Sequence, residues 1–163
     1  MIQVIIIFVI MIIAAGVSFF FARQQHIIDE KNRALVRMIN EQAKTKKTSS
    51  TPAPNPKLFN LIDGIIRKEK LYANESLQQQ DILDRFDISR RTLNDLLAAH
   101  AGGQSFTAYI NTMRLEDAVR RLREKPEMSL TEIAKNVGFT PSTFRDQFKR
   151  QFGMTPTEYR QNL

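Results

Sequence analysis

Repeated helix-start signals and apolar residues at helical spacing run through residues 58–163 of the sequence. After the first run, each apolar run follows a serine or threonine that can cap a helix, and the apolar side chains recur every three or four positions. In three places the cap is paired with a glutamate or glutamine three residues later: Ser76 with Gln79, Ser129 with Glu132 and Thr155 with Glu158. No run in this part alternates like a strand. The sequence therefore predicts an all-α domain.

Two pairs of the predicted helices share one form. Each pair has a short capped helix, a tight turn and a second helix whose exposed side is polar and basic. The turns lie around Asp87 and Gly138, and the second helices lie near residues 89–101 and 141–152. This form is typical of helix-turn-helix units, in which the second helix enters the DNA major groove. We expect about seven helices in two helix-turn-helix subdomains joined by a long linker helix, plus a separate transmembrane helix.

The candidate DNA-binding residues are those that remain exposed when the apolar side chains of these two helices face the core. Arginine can bind guanine through two hydrogen bonds, asparagine can read adenine, and aspartate can accept a hydrogen bond from cytosine. In the first helix the candidates are Arg90, Arg91, Thr92, Asn94 and Asp95. In the second helix they are Ser142, Thr143, Arg145, Asp146, Lys149 and Arg150.

Residues 4–22 form a stretch of 19 residues without a charged side chain. As a helix this stretch spans about 28 Å, close to the hydrocarbon thickness of a bilayer. A cleaved signal peptide is the alternative, but no basic region precedes the stretch. We therefore expect a transmembrane helix at residues 1–22. Lys and Arg occur only after it, which predicts a single-pass inner-membrane protein with its N-terminus outside and its C-terminal domain in the cytoplasm.

The segment that follows the apolar stretch has two parts. Residues 23–42 are expected to form an amphipathic juxtamembrane helix, and residues 43–57, rich in Lys, Thr, Ser and Pro, a flexible linker. A weak homodimer through a short coiled coil of residues 27–42 is one interpretation of the helix, and a solvated or lipid-surface helix is the other. The apolar residues of the predicted helix are Ile27, Ile28, Ala34, Leu35, Met38 and Ile39.

The net charge of +7 lies mainly outside the helical domain. Residues 1–57 hold eight Lys and Arg against three Asp and Glu, whereas residues 58–163 hold 16 against 14. The charge thus reflects membrane topology more than affinity for nucleic acid. The chain has no cysteine and two histidines, His26 and His100. We expect no disulfide, metal, cofactor or enzymatic activity, since no nucleotide-binding loop or paired catalytic group occurs in the sequence.

Residues 133–160, IAKNVGFTPSTFRDQFKRQFGMTPTEYR, resemble the DNA-binding domain of the AraC/XylS family of bacterial transcription regulators. The resemblance extends through RLEDAVRRL at residues 114–122, which is similar to the family's linker helix, and more weakly back to Leu77. It implies two reader helices in successive major grooves. It also implies six base-facing positions: Arg91, Asn94, Asp95, Ser142, Arg145 and Asp146.

The sequence departs from the family pattern in its first unit and ahead of the domain. Leu83 stands where the family usually has alanine, and Asp87 stands where glycine commonly makes the turn. Many family members carry a soluble ligand-binding domain ahead of this one, where this chain has the apolar stretch.

The function expected from these features is sequence-specific transcription regulation from the membrane. The expected partners are double-stranded DNA, the inner membrane, RNA polymerase and a membrane sensor. The alternatives are an output fragment or subunit of a larger membrane sensor, and a non-regulatory tether that binds nucleic acid or protein generically.

Overall fold

A computed structural model describes residues 23, 29–39 and 54–163 of the chain. This part of the protein is helical and contains no strand. Residues 29–39 are helix α1, and a short 3-10 helix spans Leu71–Ala73. The other helices are α2 (Pro56–Lys68), α3 (Gln79–Phe86), α4 (Arg90–His100), α5 (Phe106–Glu124), α6 (Leu130–Asn136), α7 (Pro141–Phe152) and α8 (Pro156–Gln161). The all-α prediction is confirmed for the described residues.

The predicted membrane span at residues 1–22 lies outside the described residues, as does most of the predicted linker. No helix within residues 29–39 or 54–163 combines the length and the apolar character needed to cross a membrane.

The helices pack around two hydrophobic cores that share α5. The first core joins α2, α3, α4 and the N-terminal half of α5, with Ile66 and Phe86 fully buried at its centre. The second core joins the C-terminal half of α5 to α6 and α7, with Phe148 fully buried. Met113 belongs to the first core and Leu115 to the second. Helix α5 is thus the linker helix that the sequence predicts.

Side-chain caps begin the helices as the sequence predicts, with one exception. The hydroxyl oxygens of Ser89, Ser105 and Thr140 accept hydrogen bonds from backbone N–H groups in the first turns of α4, α5 and α7. The predicted cap at Ser76 is wrong. Asn74 Oδ1 accepts hydrogen bonds from the backbone N–H and the hydroxyl of Ser76, which holds this residue in a turn.

Helix α3 consequently begins later than the pattern indicates. Its N-cap is Gln78, whose backbone N–H donates to Asp81 Oδ2 at 2.8 Å. Asp81 therefore caps the helix and does not pair with Arg85, which lies four residues later. Arg85 instead donates to Glu69 Oε2 at 2.6 Å and pairs with Asp29 Oδ1 at 2.8 Å.

The folded domain starts two residues before the predicted boundary at Leu58. Asn55 caps α2 by accepting a hydrogen bond from Lys57 N, and Pro56 fills the first helical position. His100 Nε2 lies 3.1 Å from the carbonyl oxygen of Pro54, and its ring lies 5.3 Å from that of Phe59. The His100 side chain therefore holds the start of α2 against α4.

Helix α1 packs against the first subdomain. Val36 is fully buried in the first core, and Ile39 packs on its edge. Arg37 Nε lies 3.5 Å from Asp87 Oδ2, next to the turn that leads into α4. Leu35 and Met38, two residues of the predicted coiled-coil seam, are 40% and 54% exposed. Dimerisation through residues 27–42 stays a prediction.

Val36→Ala is expected to lower the free energy of unfolding by about 1 to 2 kcal/mol, since two buried carbon atoms lose their contacts. Leu35→Ala, on the exposed side of the same helix, should change the free energy by less than about 0.5 kcal/mol. Urea denaturation of both variants measures the difference. Equal effects would show that α1 does not pack on the domain in solution.

Candidate nucleic-acid interface

Helix α4 presents one polar side to solvent because its other side is anchored in the first core. Leu93, Leu96 and Leu97 are buried there, and Ser89 caps the helix by accepting from Thr92 N at 3.0 Å. The four predicted site residues Arg90, Arg91, Asn94 and Asp95 are all exposed.

The fifth predicted residue of α4, Thr92, has a different position. It is half-buried, and its hydroxyl lies 2.8 Å from Ser89 Oγ. Thr92 is thus part of the helix cap. Its hydroxyl is less available to DNA than the exposed side chains of the same helix.

The exposed residues of α4 occupy two adjacent rows. Arg91 Nε lies 3.8 Å from Asp95 Oδ2, and both side chains are more than half exposed. An exposed pair at this distance contributes little to stability, so both groups can exchange their partner for a base at small cost. Arg90 and Asn94 form the second row.

Arg90 and Asn94 line an open groove of about 700 Å³ between α4 and the N-terminal half of α5. Gln79 Nε2 donates to Asn94 Oδ1 at 3.1 Å, which holds the asparagine amide in one orientation. The polar residues Gln104 and Asn111 line the opposite side. Gln79, Gln104 and Asn111 are not among the predicted site residues, because helical periodicity does not show which helices become neighbours.

Helix α7 is built in the same way on the second core. Phe144 and Phe148 are buried, with ring centroids 5.5 Å apart. Thr140 caps the helix by accepting from Thr143 N at 3.2 Å, and Pro141 occupies the first turn. The core side and the N-terminus of the helix are therefore both fixed.

All six predicted residues of α7 are exposed: Ser142, Thr143, Arg145, Asp146, Lys149 and Arg150. The hydroxyls of Ser142 and Thr143 lie 3.2 and 2.8 Å from Thr140 Oγ1, within the cap. Arg150 donates to Gln147 Oε1. Among the residues that the structure describes, Arg145 and Lys149 form no ion pair within 4 Å.

Comparisons with known proteins agree with this geometry. Residues 82–162 match the profile of a family described as "Helix-turn-helix domain". Over 158 aligned residues the chain is 30% identical to the HTH-type transcriptional activator RhaS of Escherichia fergusonii. Residues 82–162 form an AraC/XylS-type helix-turn-helix domain. The alignment covers 84% of this chain and 55% of that relative, so the chain spans about half of the relative's length.

Solved structures of two other proteins have the same fold as the helix-turn-helix domain of this chain. The C-terminal domain of the two-component response regulator yesN from Fusobacterium nucleatum is 29% identical with a TM-score of 0.53, over 62% of this chain and 95% of that one. The DNA-binding domain of AdpA, solved in complex with a target DNA, is 24% identical with a TM-score of 0.55. That match covers 64% of this chain and 90% of that one.

Two departures from the AraC/XylS pattern have a structural explanation. Asp87 adopts a left-handed conformation with φ of 51°, so it makes the turn for which the family commonly uses glycine. Aspartate tolerates this conformation better than most residues that carry a side chain. Leu83, in place of alanine, is buried in the first core.

The positive charge of α7 also acts on the neighbouring helix. Hydrogen bonds from the backbone N–H and hydroxyl of Thr155 lower the pKa of Glu158, and the charges of Lys149 and Arg145 lower it further. Glu158 thus stays ionised in the cap of α8. Within residues 29–39 and 54–163, no group of three or more His, Cys, Asp or Glu side chains could hold a metal ion.

Proposed function

We propose that the chain is a sequence-specific DNA-binding transcription regulator in which α4 and α7 read successive major grooves. The observation that carries this proposal is that both helices are capped and anchored by buried side chains while base-reading residues remain exposed. A rigid helix with a fixed polar side can place hydrogen-bonding groups against base edges. The relative RhaS is named a transcriptional activator, and AdpA is solved with a target DNA, which supports the proposal.

The charge of the domain favours base reading over generic attraction. Residues 58–163 hold 16 basic against 14 acidic side chains. Nonspecific binding depends on the neutralisation of many phosphates, and a nearly balanced domain gains little from it. The site also mixes Asn94, Asp95 and Asp146 with arginines. Carboxylates would weaken a surface that contacted only phosphates, whereas they suit the amino group of cytosine.

Arg145→Ala tests the role of α7. We expect it to weaken binding at a preferred site by about 1 to 3 kcal/mol and to relax the preference at one base pair. The preferred site comes from selection of a random DNA library with residues 23–163, and fluorescence anisotropy on single-base variants of that site gives the affinities. Arg33→Ala removes the same charge from the exposed side of α1 and should leave base preference unchanged. Equal weakening on all DNA would make Arg145 a phosphate contact.

We also infer that residues 4–22 anchor this domain to the inner membrane, with the domain in the cytoplasm. The 19-residue apolar stretch and the basic residues after it support this inference. Fractionation of cells that express residues 1–163 or 23–163 tests it, since both keep α1. The longer chain should sediment with membranes and the shorter one should not. Equal distribution of the two would contradict the anchor.

RNA polymerase and a membrane sensor stay predicted partners. If the chain is the output part of a larger sensor, it should still bind the DNA sites that are selected with residues 23–163. A generic tether would instead give no preferred sequence and would lose binding at moderate salt.

A further inference from the structure

The two helix-turn-helix subdomains touch each other directly at one side of α5. Arg114 lies at this position, between Met113 of the first core and Leu115 of the second. It is only 8% exposed although it lies in the middle of a helix whose exposed side is rich in charges. Arginine is seldom buried to this extent unless its N–H groups are paired.

The guanidinium of Arg114 contacts both subdomains. Nε donates to the carbonyl oxygen of Tyr72 at 2.7 Å, and Nη2 donates to that of Asn74 at 2.8 Å. Both carbonyls belong to the first subdomain. The guanidinium carbon lies 5.2 Å from the ring centre of Phe139, which is buried in the second core, a cation–π distance. Arg114 thus links the segment after α2 to the turn that precedes α7.

Gly138 brings the same turn against the backbone of the first subdomain. A Cβ atom at Gly138 would lie 2.8 Å from the carbonyl oxygens of both Tyr72 and Ala73. This distance is shorter than van der Waals contact. The backbone φ of Gly138, +84°, also favours glycine. Only two residues separate Gly138 from Pro141, the first residue of α7. The position of this turn therefore determines where the N-terminus of α7 lies.

A buried carboxylate supports the same contact from α5. Asp117 is 5% exposed and pairs with Arg120 and with Arg121, whose Nε lies 3.2 Å from Oδ2. Burial raises the pKa of Tyr72, and the negative charge of Asp117 raises it further. Tyr72 thus lies close to the Asp117 carboxylate, and its backbone carbonyl accepts a hydrogen bond from Arg114.

We propose that this junction, formed by Tyr72, Ala73, Arg114, Gly138 and Phe139, fixes the distance and angle between α4 and α7 and so sets the half-site spacing that the protein accepts on DNA. The proposal rests on the proposed function. Helix α5 attaches each subdomain through one of its halves, and the junction restrains their relative rotation. A fixed pair of readers binds both half-sites only when these have the correct separation and helical phase.

The test compares spacing preference in junction variants and matched controls. Residues 23–163 are first used to select a bipartite site from random DNA, and affinities are then measured on that site with zero, one and two inserted base pairs. Two base pairs displace one half-site by about 7 Å and rotate it by about 70°. We expect the wild-type protein to lose about tenfold or more in affinity on the two-base-pair insertion.

Gly138→Ala and Arg114→Met should bind the selected site about tenfold more weakly and should lose less than about threefold further on insertion, since their readers move independently. Gly153→Ala is the control for backbone strain, because Gly153 also has a positive φ of +75° but no atom lies within 4 Å of its added Cβ. Arg123→Met controls for loss of an arginine from the exposed side of α5. Both controls should keep the wild-type spacing preference.

Circular dichroism and thermal melting show whether each variant is folded. If Gly138→Ala does not fold, Arg114→Met alone decides the result. Junction variants that lose as much affinity on insertion as the wild-type protein would overturn the junction proposal and leave the proposed function intact. A wild-type protein that selects no DNA site would overturn both.

Discussion

Phe148→Ala is expected to lower the free energy of unfolding by about 3 to 5 kcal/mol, the range for loss of a buried aromatic side chain. Phe148 is fully buried in the second core. Its ring centroid lies 5.5 Å from that of Phe144, 4.5 Å from that of Phe152 and 5.4 Å from that of Tyr159. Phe148 contacts three other aromatic rings, so its removal leaves a cavity beside all three.

Chemical denaturation followed by circular dichroism measures this loss. Phe152→Ala is the matched control, because Phe152 lies one turn later on α7 and is only partly buried. Its replacement should cost less than that of Phe148. Because α7 depends on this core, Phe148→Ala should also remove protection of one half-site in DNA footprints. A loss in stability below about 1 kcal/mol would contradict the described packing.

Asp117→Asn is expected to destabilise the protein by about 3 kcal/mol, at the lower end of the effect of breaking a buried ion pair. The Asp117 side chain is 3% exposed, whereas the Arg121 side chain is 14% exposed. The neutral amide keeps the size of the residue but leaves the Arg121 guanidinium without a charged partner. Arg120 is about half exposed and can be rehydrated, which limits the cost.

Glu124→Gln provides the comparison for Asp117→Asn, since Glu124 Oε2 also accepts from Arg120, at 2.9 Å, but is 55% exposed. An exposed pair contributes little, and we expect a change below about 0.5 kcal/mol. Urea titration of both variants at neutral pH gives the two values. Equal small effects would show that the Asp117 carboxylate is hydrated in solution.

Much of the fold could be predicted because its determinants are local. Ser89 and Thr140 cap their helices, and Phe144 and Phe148 are spaced to face one core. A cap depends only on residues within one turn, and an amphipathic side depends only on spacing. Where two local interactions compete, as for Ser76 beside Asn74, the stronger partner is not visible in the pattern.

The contacts between elements could not be predicted from the same signals. Arg114 and Asp117 have several charged neighbours in the sequence, which gives no sign that they are buried. Their burial depends on the segment after α2, which packs on α5. Gly138 is visible as a turn residue, but its contact with Tyr72 joins residues 66 positions apart. Val36 was not predicted to be buried, because the heptad spacing assigned Leu35 and Met38 to a coiled coil instead. These features depend on long-range packing.

The exposure of ten of the eleven candidate site residues followed from helical spacing once each core side was identified, whereas Thr92 is half-buried in the cap of α4. Whether the residues contact bases stays a prediction. Gln79 and Asn111 line the same groove as Asn94, and their amide side chains are two further candidates for contacts with bases.

The central claim is that α4 and α7 read a DNA sequence, and a specificity ratio tests it most directly. Residues 23–163 are titrated with the DNA selected from a random library and with a shuffled duplex of the same composition, at low and at physiological salt. We expect the selected site to bind at least about 1,000-fold more tightly at physiological salt, as is typical of specific DNA-binding proteins. Equal affinity for both duplexes, lost together as salt rises, would contradict the claim.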